Sequence, residues 1–406
     1  MNIDMIAKYD DFFQRTKNEP VVILQGSKRS GKTFSILQNL GIEFLSTDYK
    51  KIQCFSESPK QQNFGLMSDF QSIFNPILKS GIKTNATQKT YRHKSNELAF
   101  INIADNTNAN DIANSLGACD IRYVNECNTF SKETIEKLMI NNRGQMFFDF
   151  NPYREFWIKD LVTDTNFLKT TWKDNPFLTK IQIDLFEKWT AEGKRAEIGS
   201  YPYWRWQVLC EGEFAELTGE LFTPDNISFS KTLPLGLHNY ITMSDPSNAK
   251  GNDNFANTLT AIDLKDQVWL LDSFSRNRIE KVLISEKIRD WRKRFPINDS
   301  FVETNGEYGL KFYNDCILAG IDVRGWYSRN DKFERIMANY DVITTKLMVY
   351  DTPQNREFVQ QIYTFRNPNE KDENGQKPVF KDDNIDCLNN ALLVYILIHG
   401  LLKVLF

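Results

Sequence analysis

The chain has 406 residues, 41% hydrophobic and 25% charged, which gives room for two or three domains and a core that needs no disulfides. Its formal net charge of −3 excludes a uniformly basic DNA-binding protein, so any contact with nucleic acid must come from local or transient patches. Six scattered cysteines without a CxxC pair and three distant histidines argue against a disulfide framework or a zinc site, and the opening MNIDMIAKYDD lacks the features of a signal peptide.

In chain order, residues 21–24 (VVIL) form a short apolar run typical of a buried parallel strand. Residues 33–45 follow as a helix, with Phe34, Ile36, Leu37, Leu40 and Phe44 apolar. A second strand is expected at 51–55, an amphipathic helix at 63–78, and strands at 97–103, 121–124 and 145–150. Strands alternating with helices predict an α/β domain with a mainly parallel, doubly wound sheet. A helical stretch at 177–193 and the aromatic cluster YPYWRW at 201–206 come next. Residues 212–239, rich in Gly, Pro and polar side chains, mark the boundary. The expected division is 1–215, a linker at 216–237, and a second domain at 238–406. That domain begins with three short strands, at 240–244, 258–263 and 268–274, in an antiparallel meander. A helix at 279–295, a strand at 300–303 and a helix at 309–319 follow, which is the order of a ribonuclease H-like α/β core. Residues 367–377 read as a polar loop. The apolar run at 391–406 is interrupted by His399, Gly400 and Lys403, so it falls short of the roughly 20 residues of a membrane span. A buried C-terminal helix and no membrane partner are expected.

The first strand and helix flank Gly26-x-x-x-x-Gly31-Lys32-Thr33, which meets every fixed position of a phosphate-binding loop. Gly26, Ser27, Lys28, Arg29, Ser30, Gly31, Lys32 and Thr33 are therefore expected to contact ATP. Lys32 brings a point charge to the β- and γ-phosphates, and the Thr33 hydroxyl ligates magnesium. Glu126, at the carboxyl end of the strand IRYVNE, is the acid expected to orient the attacking water. Its predecessor is Asn125, where an Asp usually helps hold magnesium. A neutral oxygen donor there predicts a weaker hold on the metal. Arg29 is a candidate arginine trigger, with Lys28 beside it as the alternative and a solvated charge as the equal competing reading.

Together these segments resemble the large subunit of tailed-phage terminases along nearly the whole chain. VVILQGSKRSGKT resembles the family's strand and loop, and SLGACDIRYVNECN its second ATPase motif, where an Asn-Glu pair is a known variant. FDFNPYREFW resembles the coupling segment, with Asn151, Pro152 and Trp157 in place, and implies that Asn151 contributes to the nucleotide site. DNPFL at 174–178 and the stretch from Gly212 to Phe222 resemble the linker before the nuclease domain. One departure is Lys28 where family loops often carry Arg.

The second domain should hold acids for two-metal phosphodiester hydrolysis. Asp245 ends the first strand of that domain, Glu303 ends the fourth, and Asp386 opens the last helix. The same three positions match the family's nuclease motifs. Asp253 and Asp383 are auxiliary metal ligands, with Asp383 an alternative to Asp386. An all-oxygen set points to Mg2+ or Mn2+. Lys332, Arg335 and Ile336 (KFERI) fall where the resemblance implies a basic pair near DNA phosphates, and the basic stretch RDWRKR at 289–294 reads equally as a second such patch or as a solvated helix face. The resemblance implies a DNA-packaging motor that translocates double-stranded DNA and cuts concatemers. It further implies docking on a capsid portal protein, loading by a small terminase subunit, and a homo-oligomeric ring. Such a protein works in the host cytoplasm, transiently on the procapsid, and is absent from the mature virion. The rival readings are a helicase or repair ATPase whose second domain binds DNA without cutting, and an assembly protein with a relic nucleotide site.

Overall fold

The fold is that of a computed structural model, which describes residues 5–59, 61–78, 82–103, 116–153, 155–218, 221–246, 255–276, 281–328, 332–367 and 382–399. The chain divides into two compact units, Met1–Glu216 and Leu217–Phe406.

The first unit opens with helix α1 (Ala7–Arg15) and strand β1 (Val21–Gly26), followed by helix α2 (Lys32–Ser46) and strand β2 (Lys51–Ser56). Residues Gln61–Leu66 form a π-helical turn before α3 (Met67–Leu78), so the helix expected from residue 63 starts in a wider winding. Strands β3 (Lys83–Asn85), β4 (Thr90–His93), β5 (Asn96–Asn102) and β6 (Cys119–Val124) come next. Helix α4 (Lys132–Ile140) leads to β7 (Asn142–Phe150), and β8 (Phe167–Thr170) completes the sheet. Among the described residues the strand order is β3-β4-β5-β2-β6-β7-β1-β8. From β5 to β8 all pairings are parallel, while β3 and β4 add an antiparallel edge. Side chains alternate across this sheet. Val22 and Leu24 pack with Tyr9, Phe12, Ile36, Leu40 and Phe44 on one face. Ile23 packs with Val124, Phe148, Ile135 and Leu138 on the other. Helix α5 (Lys180–Gly193) starts three residues later than the pattern from 177 predicts, because Thr179 and Gln182 form a capping box. The short helix α6 (Tyr201–Arg205) carries most of the aromatic cluster.

The second unit begins earlier than residue 238. Strand β9 (Ser228–Ser230) lies in the stretch read as linker and pairs with a strand over a hundred residues later. Strands β10 (His238–Asp245), β11 (Phe255–Ile262) and β12 (Val268–Arg276) form the antiparallel meander. Helix α7 (Lys281–Arg294) leads to β13 (Ile297–Glu303), and α8 (Gly306–Leu318) to β14 (Arg324–Trp326). The described sheet runs β14-β13-β10-β11-β12-β15-β9, with β13 parallel to β10. The run β12-β11-β10-β13-β14 is the ribonuclease H-like core. Strand β15 (Leu347–Tyr350) is preceded by α9 (Lys332–Ala338) and α10 (Tyr340–Lys346), and followed by α11 (Pro353–Ile362). Helix α12 (Asp383–His399) packs across β10 and β11. Its Ala391, Leu392, Val394, Tyr395 and Ile396 are buried, as expected of that run, and the residues after His399 lie outside the described residues. Most of the loop expected at 367–377 also lies outside them. No described helix is long and apolar enough to cross a membrane.

Candidate active sites

The first unit's site forms where β1 hands over to α2. Gly31 lies at φ 96°, and a Cβ there would meet Ile6 at 2.9 Å, so the loop needs glycine at that point. Behind the loop, the buried Tyr9 hydroxyl donates to the Ser30 carbonyl at 3.1 Å and shares a 2.7 Å hydrogen bond with the Thr170 hydroxyl. The Lys32 ammonium is buried. It donates to the carbonyls of Gly26 (3.3 Å) and Ser27 (3.1 Å), to the Ser30 hydroxyl (3.5 Å) and to Asn151 Oδ1 (2.9 Å). Burial holds its pKa below the usual lysine value, with Glu126 and Asp149 pulling the other way.

The carboxylates lie on the two strands next in the sheet. The Thr33 hydroxyl donates to Asp149 Oδ2 at 2.6 Å. Asp149 Oδ1 accepts from Asn125 Nδ2 and from the Glu126 backbone N–H, both at 3.0 Å. Asn125 therefore turns its amide nitrogen toward this cluster, and not the oxygen expected of it. The same nitrogen reaches the hydroxyls of Tyr123 (3.1 Å) and Thr33 (3.5 Å). Glu126 follows β6 in a left-handed conformation, φ 48°, which costs a non-glycine residue free energy and is common at working sites. The Asn151 side chain donates to Glu126 Oε1 at 3.1 Å, and its backbone N–H approaches Oε2 at 3.4 Å. Asn151 thus joins the loop lysine to the acid at the end of β6. Lys28 and Arg29 are exposed. Arg29 also has a left-handed backbone, φ 62°, and its carbonyl accepts from Asn175 at 2.8 Å. Burial raises the pKa of Asp69, and the Arg29 charge opposes that rise.

In the second unit, Asp245 ends β10, Glu303 ends the adjacent parallel β13, and Asp386 lies in the first turn of α12. One carboxylate oxygen from each lies within 4.8 Å of the others. Burial, then Glu303 and Asp386, push Asp245 well above the usual carboxylate range. Asp386 is pushed up to about 6, chiefly by burial, against the pull of Lys332 and Arg335. Asp383 is buried nearby and raises Asp245 further, but is not one of the three converging acids. Asp253 lies outside the described residues. Lys332 Nζ is 3.1 Å from Asp382 and 3.5 Å from Asp386, while Arg335 pairs with Asp386 at 3.1 Å and donates to Asn390 at 2.9 Å. Asn390 donates in turn to Glu303 Oε2 at 3.0 Å. Ile336 of the same helix is buried. The basic stretch at 289–294 is largely taken up within the fold. Arg292 donates to Ser300 at 3.0 Å, Arg289 to the Ala319 carbonyl at 2.8 Å, and Arg294 to Asp272 at 3.2 Å. Three converging carboxylates without sulfur or imidazole suit hard divalent cations, Mg2+ or Mn2+.

Residues 18–213 match the family model described as phage terminase large subunit. The match spans nearly all of the first unit and none of the second. The fold is also similar to that of a solved large terminase from a thermophilic bacteriophage. The two share 13% identity at a TM-score of 0.72, with 97% of this chain and 98% of that chain covered. Structures of the same thermophilic phage protein with ADP and with ATP-gamma-S align at 12% identity. Their TM-scores are 0.72 and 0.71, with 97% and 95% of this chain and 99% and 97% of those chains covered. Among curated proteins no sequence match was found.

Sequence reasoning missed Asp149. The residue stands inside the apolar run MFFDF, where a charge that the strand must bury is itself a signal. Asn390 and the pairing of Arg335 with Asp386 were also missed, since both depend on how α9 meets α12.

Proposed function

We propose that the chain is the large subunit of a phage DNA-packaging motor, in which ATP hydrolysis by the first unit drives double-stranded DNA and the second unit cuts it. The observation that carries this reading is the presence of two separate sites in one chain. One is a phosphate-binding loop with Glu126 and Asn151 beside Lys32. The other is the converging set Asp245, Glu303 and Asp386. ATP is the substrate of the first site. Lys32, now held by loop carbonyls, is the buried cation that receives the β- and γ-phosphates. Glu126, aimed by the Asn151 amide, orients water toward the terminal phosphorus, and Asn151 can relay movement between these two groups. Arg29 is assigned the trigger role, with Lys28 as the alternative.

At the second site a divalent cation activates water and stabilises the leaving oxygen when bound. Asp245, Glu303 and Asp386 hold it, while Lys332 and Arg335 keep Asp386 in place. Asp383 and Asp253 are assigned auxiliary roles. In the cell the chain would dock as a ring on a portal protein, be loaded by a small terminase subunit, and leave the procapsid before the virion matures. Two variants separate the activities. Lys32→Ala should abolish phosphate release from ATP while leaving plasmid cleavage in Mn2+. Asp245→Ala should abolish cleavage while ATPase stays within a few-fold. If Lys32→Ala releases phosphate at the wild-type rate, the motor reading fails. If Asp245→Ala still cuts, the nuclease reading fails.

A further inference from the structure

We propose that Asp149 is the carboxylate that holds the magnesium ion of the ATP site, in place of the strand-end acid that Asn125 replaces. The inference rests on the ATP reading above. Strands β6 and β7 are paired in parallel with Val124 opposite Phe148, so the next residues, Asn125 and Asp149, emerge side by side at the same sheet edge. β7 also pairs with β1, which places Asp149 opposite Leu24, two residues before the loop begins. From there its Oδ2 accepts the Thr33 hydroxyl at 2.6 Å. That hydroxyl is the metal ligand the loop itself supplies. The side chain has no solvent exposure, and burying a carboxylate inside a sheet is costly unless its oxygens are satisfied. Here they are, by Thr33, Asn125 Nδ2 and the Glu126 N–H. Asn125 acts as the donor in this pair and Asp149 as the acceptor. The site keeps one acid and one amide, but the acid has moved from β6 to β7. With the acid facing Thr33, the donor set toward the cation is all oxygen and negatively charged, which fits Mg2+. The weaker metal hold expected from Asn125 is thereby offset.

The test measures metal retention directly. ATP affinity of the full chain is titrated calorimetrically with Mg2+ and with EDTA, and Mn2+ bound with ADP is counted by electron paramagnetic resonance. In Asp149→Asn the gain from Mg2+ should collapse toward none, and Mn2+ retention should weaken by about 10- to 100-fold. The exchange variant Asn125→Asp with Asp149→Asn restores one acid and one amide, and should recover most of the retention. If Asp149→Asn keeps the wild-type gain from Mg2+, the proposal is overturned while the ATP reading stands. If wild type binds ATP under neither condition, the ATP reading itself fails. Should Asp149→Asn not fold, Fe2+ bound with ADP in wild type, supplied with hydrogen peroxide and ascorbate, can generate hydroxyl radicals at the site. Backbone cuts near both Thr33 and Asp149 are expected, and sparing of the β7 end overturns the proposal.

Discussion

Asn151→Ala offers the sharpest separation of binding from turnover. The amide oxygen accepts from Lys32 at 2.9 Å and the amide nitrogen donates to Glu126 at 3.1 Å. Lys32 keeps three other acceptors when this one is removed, namely Gly26, Ser27 and Ser30. Glu126 loses its closer bond to residue 151 and retains there the backbone N–H, at a weak 3.4 Å. The loss therefore falls on the placement of Glu126 more than on the loop. A hydrogen bond to a charged group contributes about 1.5–3 kcal/mol net. At about 1.4 kcal/mol per decade of rate, that predicts a roughly 10- to 150-fold fall in kcat. Removing the acid outright in Glu126→Gln sets the ceiling, about 100- to 10,000-fold. ATP affinity should change by less than about threefold, because phosphate contacts come from the loop. The assay pairs steady-state phosphate release with equilibrium binding of a fluorescent ATP analogue. A kcat within about threefold of wild type, or equal losses in affinity and kcat, would refute the claim that Asn151 acts by positioning Glu126.

The remaining predictions concern the metal site and the loop. Burial raises the folded-state pKa of Asp386 to about 6, against about 3.9 for an unperturbed Asp, so the metal-free second unit binds more protons folded than unfolded in that window. The contribution of this group to stability should therefore be greatest at low pH and be lost as pH rises through about 6. Mn2+ requires the ionised acid, so the rise in Tm that Mn2+ gives should be larger at pH 8 than at pH 5.5, as differential scanning fluorimetry would show. An equal rise at both values would count against metal binding at this cluster. Gly212 lies at φ 65°, and a Cβ there would stand 2.7 Å from the Ser27 nitrogen. Gly212→Ala should cost about 1–3 kcal/mol in urea unfolding and weaken ATP binding, because the loop backbone must shift. Wild-type stability and affinity in this variant would show that the segment after α6 does not brace the loop.

How much of this was legible in the sequence depends on how local each feature is. The loop at 26–33 could be read directly, since its glycines, lysine and threonine act within one turn between a strand and a helix. The strand Val22-Ile23-Leu24 could be read the same way, because alternation by two residues sorts its side chains to opposite faces. Asp245, Glu303 and Asp386 were visible as acids at element ends. Their approach to within 4.8 Å follows from pairings between residues more than fifty positions apart, which no local pattern encodes. The short strands β8, β9 and β15 were not visible, because three or four residues give too little period to register. Asp149 was the largest omission. Within its own strand it looks like a misplaced charge, and it gains a purpose only because β7 lies between β1 and β6, next to both Thr33 and Asn125. Local chemistry thus announced the phosphate-binding loop and the acids. The order of strands in two sheets selected which acids meet, because free energy from burying each strand between its neighbours is a property of the assembled sheet and not of any single segment.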